Sequence, residues 1–377
     1  MDHKCKSPTY TSEWLAGPMI EPLQLEGNEA LADTVDNVFA KSGFNARRLA
    51  EGAQLYKRMI EADATIALTV AGAMTPIGMS GVIISLIERG FVDFIISTGA
   101  NLYHDLHRPF EFPMVQGSAS VDDNALAEAG IARIRDVFIS DDDTLMSTDR
   151  VILDAVARLD TSRQFSTAFL HQELGAMIRR RAAHPEKSLM AAAQEYGVPI
   201  FTPSPGDSSI GMNLVVPHLF NKEVNLNPVL DVIETAAIVR DAKVNGVIEI
   251  GGGAPKNFYL QTQPTLKQIL LDTSHGGHDY FLQLTTDSPQ WGGLSGATPA
   301  EARSWGKLKD AFENNVVVYS CASITFPIIA QYALVRAAPR PHRRLFDRLE
   351  ELVKNLRAAA AANPELRKQH PEYFTQA

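Results

Sequence analysis

Two cysteines in 377 residues, Cys5 and Cys321, are too few for a disulfide framework or a cysteine-based zinc site, and their scarcity suits a reducing, cytoplasmic setting. Long apolar runs are missing as well. No window reaches the roughly 18 uninterrupted apolar residues that a spanning helix needs. Asp2, His3, Lys4 and Lys6 are followed by no apolar stretch of the kind a signal peptide carries. Basic residues are outnumbered, with 35 Lys and Arg against 44 Asp and Glu, for a formal charge of -9. That balance argues against a surface for nucleic acid or anionic lipid, which draws on clustered Lys and Arg, and it tolerates cationic ligands. Also absent is a Gly-x-Gly-x-x-Gly run with an acid about 20 residues further on, so the standard dinucleotide fingerprint is lacking.

What is present is enough apolar material for one large α/β domain or two smaller ones. A helix over residues 45–61 leads into a short buried strand at 65–70. Met79, Ile83, Leu86 and Ile87 then share one helix face that ends at Gly90, and 92–97 read as a second strand, completing a βαβ unit. The pattern recurs. Phe165, Phe169, Leu170, Met177 and Ile178 mark a helix, 188–196 another that stops at Gly197, and 230–242 a third. Strands are expected at 198–202, 247–250, 280–284 and 316–319. This alternation predicts an α/β fold, a mostly parallel sheet with helices on both faces. Leu345, Leu349, Leu352 and Leu356 predict an amphipathic C-terminal helix, continued by Ala358 to Ala362 and ended or kinked at Pro364, with the last residues loosely held. The chain thus divides into a helical N-terminal extension (1–60), a main domain (61–340) and a C-terminal helix and tail (341–377).

Ligands of such sheets bind beyond the carboxyl ends of the strands. Gly72 to Thr75, Thr98 to Asn101, Asp207-Ser208-Ser209 and Gly251 to Gly253 each follow an expected strand, where their N–H groups can converge on a phosphate-bearing cofactor. Simple close packing explains the glycines equally. The stretch from Gly293 to Lys307 delivers one lysine beside an indole and a carboxylate just after a glycine-rich turn. That grouping suits covalent amine chemistry: a lysine attacks carbonyl or imine carbon only when desolvation or a neighbouring cation has lowered its pKa. Trp305 offers an apolar wall and a π face for a cationic substrate, and Glu301 a carboxylate for a second ammonium. Taken alone, the same residues also describe an ordinary helix start. His275-Gly276-Gly277-His278, with no cysteine or carboxylate pattern nearby, reads as a surface loop rather than a metal site.

Several of these pieces together resemble deoxyhypusine synthase: the Thr98-Gly99-Ala100 turn, Phe201-Thr202-Pro203 leading to Asp207, Gly251-Gly252-Gly253 with Lys256, and Ser295-Gly296-Ala297, Pro299, Glu301-Ala302 and Ser304-Trp305-Gly306-Lys307. The likeness runs over about residues 66–327. It implies a Rossmann-like domain that binds NAD, and a homotetramer with active sites between paired subunits. In that family spermidine is oxidised, its aminobutyl group passes to a lysine as an imine and then to a lysine of a translation factor, and the NADH just formed reduces the new imine. The resemblance makes Lys307 the imine-forming lysine, Trp305 the wall against the polyamine and Glu301 a partner for a substrate amine. It makes Asp207 and Ser295 cofactor contacts, and also matches Gly72, Thr75, Thr98, Gly99, Ala100, Thr286 and Ala322 to cofactor segments.

The chain departs from the family at the amine site. Asn257 stands where a histidine follows the lysine after the triple glycine, and an amide can orient an amine but cannot exchange a proton near neutral pH. Met212 and Leu294 are apolar where acids are expected to grip the polyamine. Tyr103 and His104 replace two acids of the eukaryotic enzymes, and His104 beside Asp105 offers a substitute acid/base. These changes suggest that the donor, the acceptor or both have changed; homospermidine synthases within the family use putrescine in place of the protein lysine. Two other readings of the scaffold remain open here, another NAD-dependent enzyme and a non-catalytic NAD-binding protein.

Overall fold

Runs such as Thr65–Val70 and Asn245–Ile250 are buried along their whole length, with none of the polar alternation of a half-solvated strand, because both faces of their sheet are covered. The computed structural model describes residues 13–160, 162–220, 222, 224–310 and 312–374; Cys5 and the N-terminal Asp2, His3, Lys4 and Lys6 lie outside them. The strands are β1 (Thr65–Val70), β2 (Phe94–Ser97), β3 (Met114–Gln116), β4 (Ile131–Ile134), β5 (Val137–Ser140), β6 (Ile200–Phe201), β7 (Asn245–Ile250), β8 (Tyr280–Thr285) and β9 (Asn315–Tyr319).

Six of them form a wholly parallel sheet in the order β6-β2-β1-β7-β8-β9. Counted by appearance within that sheet, the order is 3-2-1-4-5-6, the doubly wound arrangement whose ligand crevice opens where the strand order reverses. Here that point lies between β1 and β7.

Alternate residues of each strand serve opposite layers. Ile66, Leu68, Ile248, Leu282 and Val318 enter one core, with the helices Phe44–Glu61, Met79–Glu88 and Ala322–Arg336. Ala67, Val247 and Phe281 enter the other, with Pro228–Asp241, Gly253–Pro264 and Leu345–Ala362. The expected lead-in and C-terminal helices are therefore both packed into the layers that cover the sheet. Leu345, Leu349, Leu352 and Leu356 are the buried stripe of the C-terminal helix, as their spacing predicts.

Several elements differ from the expectation. The strand expected over 198–202 shrinks to Ile200–Phe201 at the sheet edge, where it pairs with β2 alone. Pro364 does end the long helix, but it also opens a second one, Pro364–Gln369, whose N-cap Asn363 accepts the N–H groups of Glu365 and Leu366. Leu366 is buried, so the tail is docked through this second helix, while the last three residues, 375–377, on which the expectation of a loosely held end falls, lie outside the described ones. A small antiparallel sheet, β3-β5-β4, is inserted after β2 and was not foreseen, because its strands are only three or four residues long.

Candidate active site

The segment that carries Lys307 is shaped by two caps. Thr298 accepts the Glu301 N–H at 3.2 Å, and Pro299 takes the first turn of the helix Pro299–Ser304. At the other end Gly306 adopts a φ of +69°, so that the N–H groups of Gly306 and Lys307 reach back to the carbonyls of Arg303 and Ala302 at 2.9 and 3.0 Å. This six-to-one and five-to-two closure needs a residue at ease at positive φ, which accounts for the glycine between Trp305 and Lys307. The Lys307 carbonyl then accepts the His278 N–H at 2.9 Å, which fixes the lysine backbone against the segment leading into β8.

From that anchor the Lys307 side chain donates to Asn257 Oδ1 at 2.9 Å, and its Nζ stands 5.8 Å from the centre of the Trp305 ring. Burial holds the half-buried ammonium below the ordinary lysine range, and the charge of Lys256 pushes the same way, while Glu301 and Glu249 pull it back. Trp305 and Glu301 are both exposed beside it.

Beneath this surface lies a buried polar network on the sheet itself. Glu249 pairs in register with Thr69 on one side and Gln283 on the other, all on the face that carries Ala67, Val247 and Phe281 two residues earlier. Lys256, from the helix Gly253–Pro264, is buried above them. It donates to Gln283 Oε1 at 2.9 Å and to the Ala297 carbonyl at 2.7 Å, and lies 3.8 Å from Glu249 Oε2. Gln283 in turn donates to the carbonyls of Gly251 and Ser295 at 2.9 and 2.8 Å. Ser295 Oγ accepts the Gly253 N–H at 3.0 Å, and a Cβ on Gly252 would fall 2.4 Å from Ser295 Cα, so only glycine fits there. The turn after β7 is thus stitched to the loop before the lysine helix.

Across the sheet, Thr98, Gly99, Pro203, Asp207, Gly253 and Ala254 line a cavity of about 130 Å³ at the carboxyl ends of β2, β6 and β7. A Cβ on Gly99 would lie 2.3 Å from Ser208 Cβ, so the close approach of these two loops again needs glycine. Asn101 joins the loop after β1 to this corner: its Oδ1 accepts the N–H groups of Met74 and Thr75 at 3.0 and 3.2 Å, and its Nδ2 donates to Thr98 Oγ1 at 3.0 Å. Of the expected cofactor residues, Thr98, Gly99 and Asp207 share the cavity wall, and Ala100 follows in the first turn of the helix Gly99–Asp105. Ser295 reaches the corner through Gly253. Gly72, at a φ of +73°, lies in the loop after β1, in which Thr75 is buried with its hydroxyl spent on the Asn101 carbonyl at 2.7 Å. Thr286 and Ala322 sit at the ends of β8 and β9, outside that wall.

His104 has a different partner from the one expected. Asp105 turns inward and caps the helix Leu189–Tyr196, accepting Leu189 N–H, Met190 N–H and Ser188 Oγ–H at 2.8, 2.9 and 2.7 Å. His104 Nδ1 instead lies 2.9 Å from His107 Nε2, whose other nitrogen meets Thr148 Oγ1 at 2.7 Å. Burial pushes His104 down to about 4 and His107 well below its ordinary value, so both rings are neutral at pH 7. The His275 to His278 stretch also differs from a surface loop. His278 is buried, stacked on Tyr259 at 4.1 Å and bonded to Asn245 at 2.6 Å, while His275 meets the Arg240 carbonyl at 2.8 Å.

Glu249 and Gln283 were missed in the sequence. Each is a single polar residue inside an apolar strand, Val247-Ile248-Glu249-Ile250 and Phe281-Leu282-Gln283-Leu284, and a carboxyl or amide in a strand covered on both faces is itself a signal, because burying it is costly.

Comparison with known proteins places this geometry. The family model described as deoxyhypusine synthase matches residues 35–333. A deoxyhypusine synthase-like protein of Nostoc sp. is 41% identical over 351 residues, covering 90% of this chain and 91% of that protein. A probable deoxyhypusine synthase 2 of Methanosarcina acetivorans is 37% identical over 304 residues, with 80% and 86% covered. The crystal structure of an Entamoeba histolytica protein assigned to deoxyhypusine synthase superposes with a TM-score of 0.53 over 83% of this chain and 95% of that one; at 17% identity it supports the shared fold.

Proposed function

Because this chain belongs to the deoxyhypusine synthase family, we propose that it is an NAD-dependent transferase that carries an aminobutyl group from a polyamine such as spermidine, through an imine on Lys307, to an acceptor amine. The observation that carries the reading is the placement of Lys307. Its Nζ is held by Asn257, two residues beyond Pro255 in the helix whose first turn lines the strand-end cavity. Lysine and crevice are therefore adjacent.

The crevice suits a dinucleotide. It sits at the reversal point of the sheet, Gly99 lets the Ser208 loop pack close against the turn after β2, and Asp207 offers a carboxylate for ribose hydroxyls. NAD held by the turn at Thr98 and Gly99 and by Asp207 would supply hydride-transfer chemistry at the carbon beside a substrate nitrogen. The other roles fall to the chain. Lys307, in its neutral form, bonds to the oxidised carbon, and the aminobutyl transfer from spermidine leaves propane-1,3-diamine. Trp305 presents its π face to an ammonium, and Glu301 supplies a counter-charge. Asn257 orients the lysine without exchanging its proton. His104 lies at the end of the helix that begins in the crevice, as a neutral ring that can accept from a substrate amine.

The acceptor is a protein lysine or a small diamine such as putrescine. Met212 and Leu294, exposed apolar residues where acids would grip a long polyamine, support the smaller amine. Exposed Trp291, Leu294 and Trp305 around the lysine segment support a second copy of the chain closing the site, as in a homotetramer, and the family likeness supports a cytoplasmic setting. No helix among the described residues is long and apolar enough to cross a membrane.

The test is to incubate the protein with NAD and a panel of diamines and polyamines, following NADH absorbance and product masses. NADH formation and a transferred-aminobutyl product that vanish in Lys307→Ala are expected. Release of nicotinamide, or hydride transfer indifferent to Lys307→Ala, would contradict the proposal.

A further inference from the structure

A carboxyl group inside a parallel strand, shut from water on both faces, normally has a hydrogen-bonding partner. Glu249 does not. It is fully buried, and neither of its side-chain oxygens has a hydrogen-bond partner among the described residues. The Thr69 hydroxyl beside it in register is likewise unpartnered. The nearest charge is Lys256, with Nζ 3.8 Å from Glu249 Oε2. Lys256 is immediately followed by Asn257, the residue that holds Lys307. The charges of Lys256 and Glu249 both act on Lys307, so the three ionisable side chains form one electrostatic cluster running from the sheet to the lysine segment.

The covalent step needs Lys307 to lose a proton before it bonds carbon and to recover one when it is freed. Asn257, the group that touches its nitrogen, cannot take that proton. We propose that Glu249 is a positioning residue that serves as the proton store for Lys307, acting through Lys256. The exchange balances. Lys256 passes a proton to the Glu249 carboxylate and accepts one from the Lys307 ammonium, leaving a carboxylic acid, a charged Lys256 and a neutral Lys307, with the net charge of the three unchanged. The reverse shift recharges Lys307.

The surroundings favour such an exchange. Burial pushes the Glu249 carboxyl up to about 8, against the pull of Lys256 and Lys307, which brings it into the range where a store can fill and empty. Burial lowers Lys256, and Glu249, Glu301 and Asp287 raise it again. The Tyr259 phenol, whose pKa the Glu249 charge also raises, is kept by burial far too weakly acidic to compete. Gln283, from the neighbouring strand, holds Lys256 in place and cannot titrate.

The inference rests on the proposed role of Lys307 for its purpose, but its test does not need turnover. Competitive acylation of the full chain across pH, with Lys307 modification read by peptide mass spectrometry, reports the neutral fraction of that lysine. Two coupled groups that share a proton titrate in two steps. A two-step Lys307 curve is expected in the unmodified protein, a single step in Glu249→Gln, and two steps again in Glu249→Asp. Lys256→Gln, which retains a hydrogen-bonding side chain, should also give one step, with melting curves establishing that each variant is folded. The same single step with and without Glu249 would overturn the proposal. With NAD and a diamine supplied, Glu249→Gln should turn over roughly a hundredfold more slowly, the low end of what a positioned proton transfer contributes. The expected curves without any amine turnover by the unmodified protein would remove the transferase reading and leave the store in place, whereas turnover with coincident curves would do the opposite.

Discussion

The crevice at the carboxyl ends of β1, β2, β6 and β7 and the buried polar network beneath Lys307 meet at one helix, Gly253–Pro264, yet they are made of different material. The crevice is backbone, small residues and one exposed carboxylate, Asp207. Its shape depends on a missing side chain, since a Cβ on Gly99 would collide with Ser208 of the facing loop. The lysine network is the reverse: Glu249 and Lys256 are buried ionisable groups facing each other, and Gln283 and Ala297 hold Lys256 in place. A cofactor that binds and leaves unchanged needs a rigid cradle. On the proposed chemistry, a lysine that gains and loses a proton needs neighbours that titrate with it. The two halves should therefore fail separately.

The largest separation is expected from Lys307→Ala. Amine transfer should fall by at least about a thousandfold, as when a covalent nucleophile is removed, with NAD affinity by calorimetry unchanged. Gly99→Ala should do the opposite, since its Cβ would drive Ser208 away: NAD affinity should drop by about tenfold or more while the acylation curve of Lys307 keeps its shape. Trp305→Ala is expected to sharpen the division within the amine side. It should raise KM for the amine by roughly fivefold, about 1 kcal/mol, and leave kcat nearly intact.

A further effect, separate from turnover, is expected on stability. The Glu249 carboxyl is raised in the folded chain from 4.5 to about 8, so the folded state binds its proton more tightly than the unfolded one. Its cost to stability is absent below about pH 4.5, grows as pH rises, and is complete above about pH 8. Glu249→Gln should thus melt higher than the unmodified protein at pH 8.5 and close to it at pH 4.5, by calorimetry at both values.

Much of the crevice was legible in the sequence because its signals are local. Glycine turns follow apolar strands, and the sheet's strands from Thr65–Val70 to Asn315–Tyr319 were found close to their observed limits, the edge strand Ile200–Phe201 excepted. The lysine segment was legible for the same reason, with Thr298, Pro299 and Gly306 marking both ends of a short helix. What escaped depends on partners distant in sequence. Glu249 acquires meaning only from Lys256, Thr69 and Gln283 across the sheet, and Asp105 looked like a companion for His104 until the fold turned it toward Ser188. The small sheet β3-β5-β4 left no periodicity long enough to read.

The most direct measurement is reduction with borohydride in the presence of NAD and spermidine, followed by peptide mapping. The account predicts a stable aminobutyl adduct on Lys307 that requires NAD and is lost when the cofactor is withheld. An unmodified Lys307 under conditions where the protein turns over amine, or an adduct on another lysine, would contradict it.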